Sequence, residues 1–155
     1  MKVRNSLTAN DDDKIIECLK EFADYQPYGR LQAEAEEYND HHIRKVLDII
    51  RQRGLLFVAD GEDDDLAGVF MSIQSPDIWI PKLVIMNELV WWVNPNYRDT
   101  SVGYRLLKEY TDACKILVKE GAIANFTMTL LENSPEIDLE KRGWDKIETN
   151  YVFGV

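Results

Sequence analysis

Residues 88–107 read ELVWWVNPNYRDTSVGYRLL, and this stretch is the most informative one for the fold. Its first six residues are mostly apolar and include two tryptophans, as is typical of a buried β-strand that ends before Pro95. Apolar residues then recur at helical spacing over residues 102–117, and Gly121 ends that pattern. The stretch therefore predicts a strand, a tight turn and a helix that carries Gly103 in its first turn.

The flanking sequence adds helices and strands in an irregular alternation. In the first half of the chain, apolar spacing and turn residues predict a strand over 1–9, helices over 12–25 and around 43–50 (ended by Gly54), and strands over 55–59 and 66–73. In the second half they predict a loop over 74–83, a strand over 83–93, a helix over 101–118, a strand over 122–130, a short helix over 135–142 and a strand over 147–153. This order predicts a mixed α/β fold in one domain, 1–155. Its twisted, mostly antiparallel sheet would have about six to seven strands and about four flanking helices.

Composition and charge narrow the classes of function. The 155 residues are 45% hydrophobic and carry a net charge of -10, which suits one compact acidic domain. An acidic chain repels nucleic acid phosphates and anionic lipids, whereas it attracts a cationic substrate. No apolar run is long enough to span a membrane, and the N-terminus does not resemble a signal peptide. We therefore expect a cytoplasmic protein that binds neither nucleic acid nor membrane.

The cysteines and histidines do not suggest a metal site or a disulfide framework. Cys18 and Cys114 both stand at apolar positions of predicted helices, where a free thiol acts as a small core residue. His41 and His42 are adjacent at a helix start, and no third ligand is suitably spaced. The sequence predicts buried cysteines, surface histidines and no bound metal.

The 98–104 turn has the features of an anion site. The first N–H groups of a helix have no intrahelical acceptor, and the helix dipole favours an anion beside them. Gly103 allows close approach of a ligand, Thr100 and Ser101 add hydroxyl donors, and Arg98 adds a planar cation. An ordinary strand-to-helix turn without a ligand is the alternative interpretation.

The same residues resemble a known motif. The stretch consists of an apolar strand followed by V-x-P-x-Y-R, R-x-x-S-x-G and a leucine pair. This pattern resembles the acetyl-CoA-binding motif of the GNAT superfamily of N-acetyltransferases, which is usually written Q/R-x-x-G-x-G/A. Arg98 stands at its first position, Ser101 at its first glycine and Gly103 at its second. The segment NSPEIDLEKRGW at 133–144 resembles the family signature N-x-x-A-x-x-x-Y-x-x-x-G-F, and the element order is similar over nearly the whole chain. The W-W-V-x-P-x-Y-R strand end also resembles GNAT-type proteins of bacteriophages.

The resemblance implies an acetyl-CoA site at the end of the 83–93 strand. The pantetheine arm would lie between this strand and the next one, and the CoA pyrophosphate would contact the turn. The residues implied in cofactor binding are Trp91, Trp92, Val93, Arg98, Asp99, Thr100, Ser101, Val102, Gly103, Tyr104 and Asn133. Glu88 stands where many family members carry a glutamate that serves as general base. Its alternative roles are to cap a sheet edge or to pair with Lys82 or Arg98.

The activity implied is acetyl transfer from acetyl-CoA to a primary amine of a small molecule or a protein, by direct attack in a ternary complex. Two departures from the family pattern leave a second hypothesis open. Ser101 replaces the first motif glycine, and Leu139 stands where the family often has a general-acid tyrosine. The alternative is a catalytically degenerate GNAT-fold protein that binds a protein partner or serves a structural role.

The acceptor side is less defined by the sequence. Trp79, in a loop bounded by prolines, is a candidate wall of the acceptor site. Glu34 and Glu37 belong to an acidic region that overhangs the acceptor site in the family and that could attract a cationic substrate, and a solvated acidic face is the preferred interpretation. The sequence names no acceptor, and it leaves both a monomer and a homodimer open.

Overall fold

The computed structural model describes residues 1–25, 39–132 and 134–149. Its sheet has five strands in the order of the chain: β1 (Val3–Asn5), β2 (Gly54–Asp60), β3 (Leu66–Pro76), β4 (Val84–Val93) and β5 (Asn125–Phe126). The first four are antiparallel neighbours, and β5 runs parallel to β4. The parallel pair requires a crossover, which the last helix provides.

Three α-helices cover the two faces of the sheet: α1 (Asp12–Tyr25), α2 (Asp40–Arg53) and α3 (Val102–Lys119). α1 and α2 pack on one face and α3 on the other, so strand residues alternate between two apolar clusters. In β3, Val69 and Met71 join the cluster under α1 and α2, whereas Phe70 joins the cluster under α3. Both faces of the central strands are therefore buried, as their nearly continuous apolar sequence requires.

A buried ion pair joins α1 to α2. The carboxylate of Asp12, at the start of α1, accepts a hydrogen bond from the guanidinium of Arg51 in the last turn of α2. Their side chains are only 3% and 9% exposed. Because the pair is shielded from water, it fixes the relative position of the two helices on the sheet.

Several sequence predictions are confirmed. The fold class is mixed α/β with a mostly antiparallel sheet, and α1 covers the same residues, 12–25, that the spacing predicted. Gly54 follows the last residue of α2, and both cysteines are free and buried. The described residues contain five strands and three α-helices, fewer than the six to seven strands and four helices expected.

The loop predicted over 74–83 is shorter than expected. β3 continues to Pro76, because Gln74, Ser75 and Pro76 pair with the first residues of β4. Pro76 is the last residue of the strand, where the absence of a backbone N–H costs little ladder pairing. Pro76 was therefore wrongly assigned to the loop, which occupies 77–83.

The C-terminal predictions need larger corrections. Of the strand predicted over 122–130, only Asn125–Phe126 pairs with the sheet. The short helix predicted over 135–142 is one 3-10 turn, Glu140–Arg142, which Gly143 ends at a φ of 87°. Of the strand predicted over 147–153, residues 147–149 form no strand and the remainder lies outside the described residues.

Within the described segments, no helix has the length and apolar character that crossing a membrane requires.

Candidate functional site

The strands β4 and β5 separate soon after they meet, and we call this point the fork. They pair only through Ile85 with Asn125 and Met86 with Phe126. Thr127 N still donates to Met86 O at 2.9 Å, but no further backbone pairing of these two strands follows in the described residues. A gap therefore opens in the sheet beside the C-terminal half of β4.

The Glu88 side chain bridges the fork. Its Oε2 accepts a hydrogen bond from Thr129 N at 3.2 Å, in place of the next rung of the ladder. On the other edge of β4 the pairing with β3 passes from Met71–Val90 to Ser72–Glu88, so Leu89 is an unpaired bulge residue. The bulge and the fork together turn the Glu88 carboxylate into the space between the strands.

The surroundings of Glu88 favour its neutral form. Burial raises the pKa of Glu88 from its ordinary 4.5 to about 7, and the hydrogen bond from Thr129 N partly opposes that rise. Among the described residues, neither Lys82 nor Arg98 forms an ion pair with this carboxylate, so the pairing alternative is wrong. A carboxylate with a pKa near neutrality is suited to accept a proton at physiological pH.

A cavity of about 290 Å³ lies at the C-terminal end of β4. Its walls are the last turn of α1, the end of β4, the first turn of α3 and the described residues of the segment 131–142. The residues that line it are Phe22, Tyr25, Trp91, Trp92, Val93, Arg98, Thr100, Gly103, Tyr104, Leu107, Leu131, Ser134, Pro135, Ile137 and Arg142. These lining residues include two arginines and no carboxylate, although the chain as a whole carries a net charge of -10. The cavity is thus electropositive in an acidic protein.

Arg98 is held in the cavity wall by aromatic rings. Its guanidinium carbon lies 4.4 Å from the ring centroid of Tyr25 and 4.6 Å from that of Trp92. Its Nε donates to Val93 O at 3.2 Å. Because the two rings and the backbone carbonyl that contact the guanidinium are all neutral, its positive charge is positioned without being neutralised.

The first turn of α3 keeps donors available. Thr100 Oγ1 accepts from Val102 N at 3.3 Å, and Arg105 N donates to Ser101 O. The N–H groups of Gly103 and Tyr104 have no acceptor among the described residues. Two donors at the positive end of an 18-residue helix therefore border the cavity.

Backbone geometry accounts for the residues at the two glycine positions of the motif, Ser101 and Gly103. Ser101 has a φ of -80°, so a side chain causes no strain there, and its hydroxyl makes no capping hydrogen bond. A Cβ added at Gly103 would lie 3.4 Å from Val93 Cγ2 and 3.6 Å from Trp91 Cζ2. The helix start thus packs closely on β4 at Gly103, whereas Ser101 is exposed and tolerates substitution of the family glycine.

The structure brings most of the predicted cofactor residues together. Seven line the cavity: Trp91, Trp92, Val93, Arg98, Thr100, Gly103 and Tyr104. Trp91 and Trp92 lie on opposite faces of β4, as predicted, and both reach the cavity at the strand end. Asp99 and Ser101 are exposed beside the turn and do not line the cavity, and Val102 is buried beneath it. Asn133 lies outside the described residues.

The predicted acceptor residues are not part of this cavity. Trp79 is 85% exposed at the tip of the β3–β4 hairpin. Glu34 and Glu37 lie outside the described residues. Glu88 is at the fork and does not itself line the cavity.

The sequence did not lead us to expect Tyr25 and Arg142 in the cavity wall. Tyr25 was treated only as the end of a helix, and Arg142 only as the end of another. The Arg142 guanidinium lies over the ring of Tyr104, with 5.0 Å from its carbon to the ring centroid. Arg142 belongs to the 133–144 segment that was already compared with a family signature, so its charge next to Gly143 was a usable signal.

Solved structures similar to this one define its fold. An acetyltransferase from Trypanosoma brucei is 18% identical, with a TM-score of 0.67 over 99% of each chain. A glucosamine-6-phosphate N-acetyltransferase from Arabidopsis thaliana is 17% identical, with a TM-score of 0.66 over 98% of this chain and 96% of that one. A transcriptional regulator from Bacillus halodurans C-125 is 15% identical, with a TM-score of 0.68 over 99% of each chain. The chain therefore has the GNAT acetyltransferase fold, as the motif predicted.

At the level of sequence the likeness is weak. No protein-family model matches the chain, and no curated protein matches it significantly. The likeness shown is thus one of fold.

Proposed function

We propose that the protein is an acyltransferase that moves an acetyl group from acetyl-CoA to a primary amine of a small molecule or a protein. One observation carries this proposal: an electropositive cavity lies between the start of α3 and the C-terminal end of β4, the strand from which β5 has separated. Such a cavity offers a phosphate-binding end beside an open strand edge.

The residues present fit CoA. The free N–H groups of Gly103 and Tyr104, with Arg98, suit the pyrophosphate. Asn94 N donates to Ala67 O on β3, so the alternating N–H groups of Trp91 and Val93 point to the other edge of β4, where β5 has separated. These strand-edge groups suit the amides of the pantetheine arm.

The chemistry follows from these positions. Acetyl-CoA supplies the acetyl group as a thioester, and the neutral amine attacks its carbonyl carbon. The N–H of Val93 would donate to the carbonyl oxygen, on which negative charge develops. Glu88 would accept the proton lost by the amine, directly or through a water, as its raised pKa suits.

No general acid is required at Leu139. The bond between carbon and sulfur breaks as the amide bond forms, and the sulfur leaves as a thiolate. Because an ordinary thiol has a pKa of about 8.5, the thiolate is a fair leaving group near neutral pH.

A transfer assay tests the catalytic role of Glu88. Release of the CoA thiol from acetyl-CoA is measured over a panel of primary amines for the wild type, Glu88→Gln and, as a matched control, Glu109→Gln on the exposed face of α3. We expect kcat/KM of the wild type to rise through pH 7 and this rise to be absent in Glu88→Gln. An unchanged pH profile in Glu88→Gln would remove Glu88 from the mechanism.

The acceptor residues stay part of the proposal. Trp79 would contact the acceptor from the hairpin tip, and Glu34 and Glu37 would attract its positive charge. A cytoplasmic location, a monomeric or homodimeric state and the absence of nucleic acid or membrane binding also stay predictions.

A second candidate function is favoured by the hairpin tip. Ile78, Trp79 and Ile80 are 80%, 85% and 46% exposed, and Asp77 Oδ1 accepts from Trp79 N and Ile80 N, which holds the tip in an outward turn. A run of exposed apolar residues is typical of a partner-binding surface. In a GNAT-fold binding protein, Trp79→Ala would abolish partner binding with no acetyl-CoA present. In the enzyme, it would raise the KM for the acceptor.

A further inference from the structure

We propose that Arg142 binds the 3′-phosphate on the ribose of CoA and thereby makes the protein prefer CoA to 3′-dephospho-CoA. This inference rests on the proposed function, because it assigns a further part of the same ligand. The proposal names a specificity-determining residue outside the 98–104 motif.

The first observation is that the cavity contains two separate cationic groups. Arg98 lies against the rings of Tyr25 and Trp92 at the end of β4, and Arg142, on the segment 131–142, lies over the ring of Tyr104. The pyrophosphate is matched by Arg98 and the start of α3. Arg142 is therefore available for a second anionic group of the ligand.

The second observation concerns the charges around Arg142. Asp138, an acid on the same segment, pairs with Lys141, with 2.8 Å from Nζ to Oδ2. Asp138 Oδ1 also accepts from Lys141 N at 3.0 Å. Within the described ranges, no carboxylate forms an ion pair with Arg142. Its charge is thus left unpaired at the cavity wall.

The third observation is the position of Arg142 relative to the helix start. Tyr104, which carries the guanidinium on its ring, is in the first turn of α3. In CoA the phosphorylated ribose is bonded directly to the pyrophosphate, so a pyrophosphate at this turn places the 3′-phosphate close by. Stacking on a ring leaves the N–H edge of a guanidinium free for a bidentate contact with phosphate.

Calorimetric titration of each protein with CoA and with 3′-dephospho-CoA tests the proposal. The variants are Arg142→Gln, Arg142→Lys, Arg98→Gln and, as the matched control, Lys146→Gln, which removes an exposed cation outside the cavity and leaves the pair between Asp138 and Lys141 intact. We expect the wild type to bind CoA about tenfold more tightly than the dephosphorylated form, as one exposed charge-assisted contact allows. Arg142→Gln should abolish this preference by weakening CoA alone. Lys146→Gln should keep the preference, and Arg142→Lys should keep part of it.

The other results separate this inference from the proposed function. Equal wild-type affinities for both ligands, or an Arg142→Gln variant that weakens both equally, would overturn the role of Arg142 and leave the cofactor site intact. Arg98→Gln should weaken both ligands alike, because both contain the pyrophosphate. A wild type that binds neither ligand would overturn both proposals.

Discussion

At the residue scale, the burial of Glu88 makes the free energy of unfolding depend on pH. Its pKa is about 7 in the folded chain, against an ordinary value of 4.5. Between these two values the folded chain keeps a proton that the unfolded chain has released. The free energy of unfolding therefore falls as pH rises from 4.5 to 7 and levels off above 7.

Glu88→Gln is expected to remove this pH dependence. The variant has no titrating group at the fork, so its stability relative to the wild type should increase between pH 5 and pH 8. Urea unfolding of both proteins at the two pH values measures the change. Equal differences in the free energy of unfolding at both pH values would show that Glu88 has an ordinary pKa.

Gly103→Ala separates stability from ligand binding. Alanine restricts the unfolded chain and suits a helix, which stabilises by about 0.5–1 kcal/mol, and the contacts at 3.4 and 3.6 Å are near normal packing distances. The free energy of unfolding should therefore be unchanged or slightly higher. Acetyl-CoA affinity should fall, because the methyl group is added to the cavity wall. A variant that binds acetyl-CoA as the wild type does would exclude close approach of the ligand at Gly103.

At the element scale, one buried tyrosine of α3 contacts both β4 and the residue that follows β5 at the fork. Tyr110 on α3 is fully buried, and its hydroxyl donates to Thr127 O at 2.8 Å and lies 3.4 Å from Met86 O. It therefore holds the residues that follow β5 against β4 at the point where the strands separate.

Tyr110→Phe should loosen the fork. The substitution leaves the Thr127 carbonyl without its donor, which costs about 1–2 kcal/mol for a buried group. Urea unfolding should show this loss, and hydrogen exchange at Thr127 and Thr129 should be faster than in the wild type. Unchanged exchange at both amides would mean that the hydroxyl does not hold the fork.

A helix or strand could be predicted from the sequence when the signals that determine it lie within its own residues. α1 was predicted to the residue, because acidic residues at its start and apolar spacing along it are local signals. The strand over 122–130 alternates just as clearly, yet only two residues pair. Whether a strand pairs depends on its neighbour, and here the Glu88 carboxylate takes the place of a backbone rung. No local pattern in 122–130 contains that information.

The candidate site, too, was predicted where its residues are contiguous in sequence and was missed where they are not. The 98–104 turn is contiguous in sequence and was found from its motif, whereas Tyr25 and Arg142 reach the cavity from opposite ends of the chain. Their contribution depends on how α1 and the 131–142 segment pack around β4. Sequence alone therefore predicts one wall of the cavity and not the other.

At the scale of the whole molecule, the buried pair between Asp12 and Arg51 should be a main determinant of stability. Asp12→Asn removes the buried carboxylate of this pair and leaves Arg51 with the exposed Asp48, 3.3 Å away, as its ion-pair partner, so we expect a loss of about 2 kcal/mol in the free energy of unfolding. Asp13→Asn is the matched control: its side chain is 87% exposed and pairs with Arg44 at the surface, so its loss should stay below about 1 kcal/mol. Equal losses in the two variants would contradict a special role for the buried pair.

Acetyl-CoA binding also depends on the whole molecule, because α1, β4, α3 and the 131–142 segment together form the cavity. The most direct measurement is calorimetric titration with acetyl-CoA, with desulfo-CoA and ATP for comparison and Arg98→Gln as the variant. We expect micromolar binding of acetyl-CoA and desulfo-CoA, no comparable binding of ATP, and weaker binding of both CoA ligands by Arg98→Gln. No heat of binding at millimolar acetyl-CoA would contradict the cofactor site and the proposed acetyl transfer.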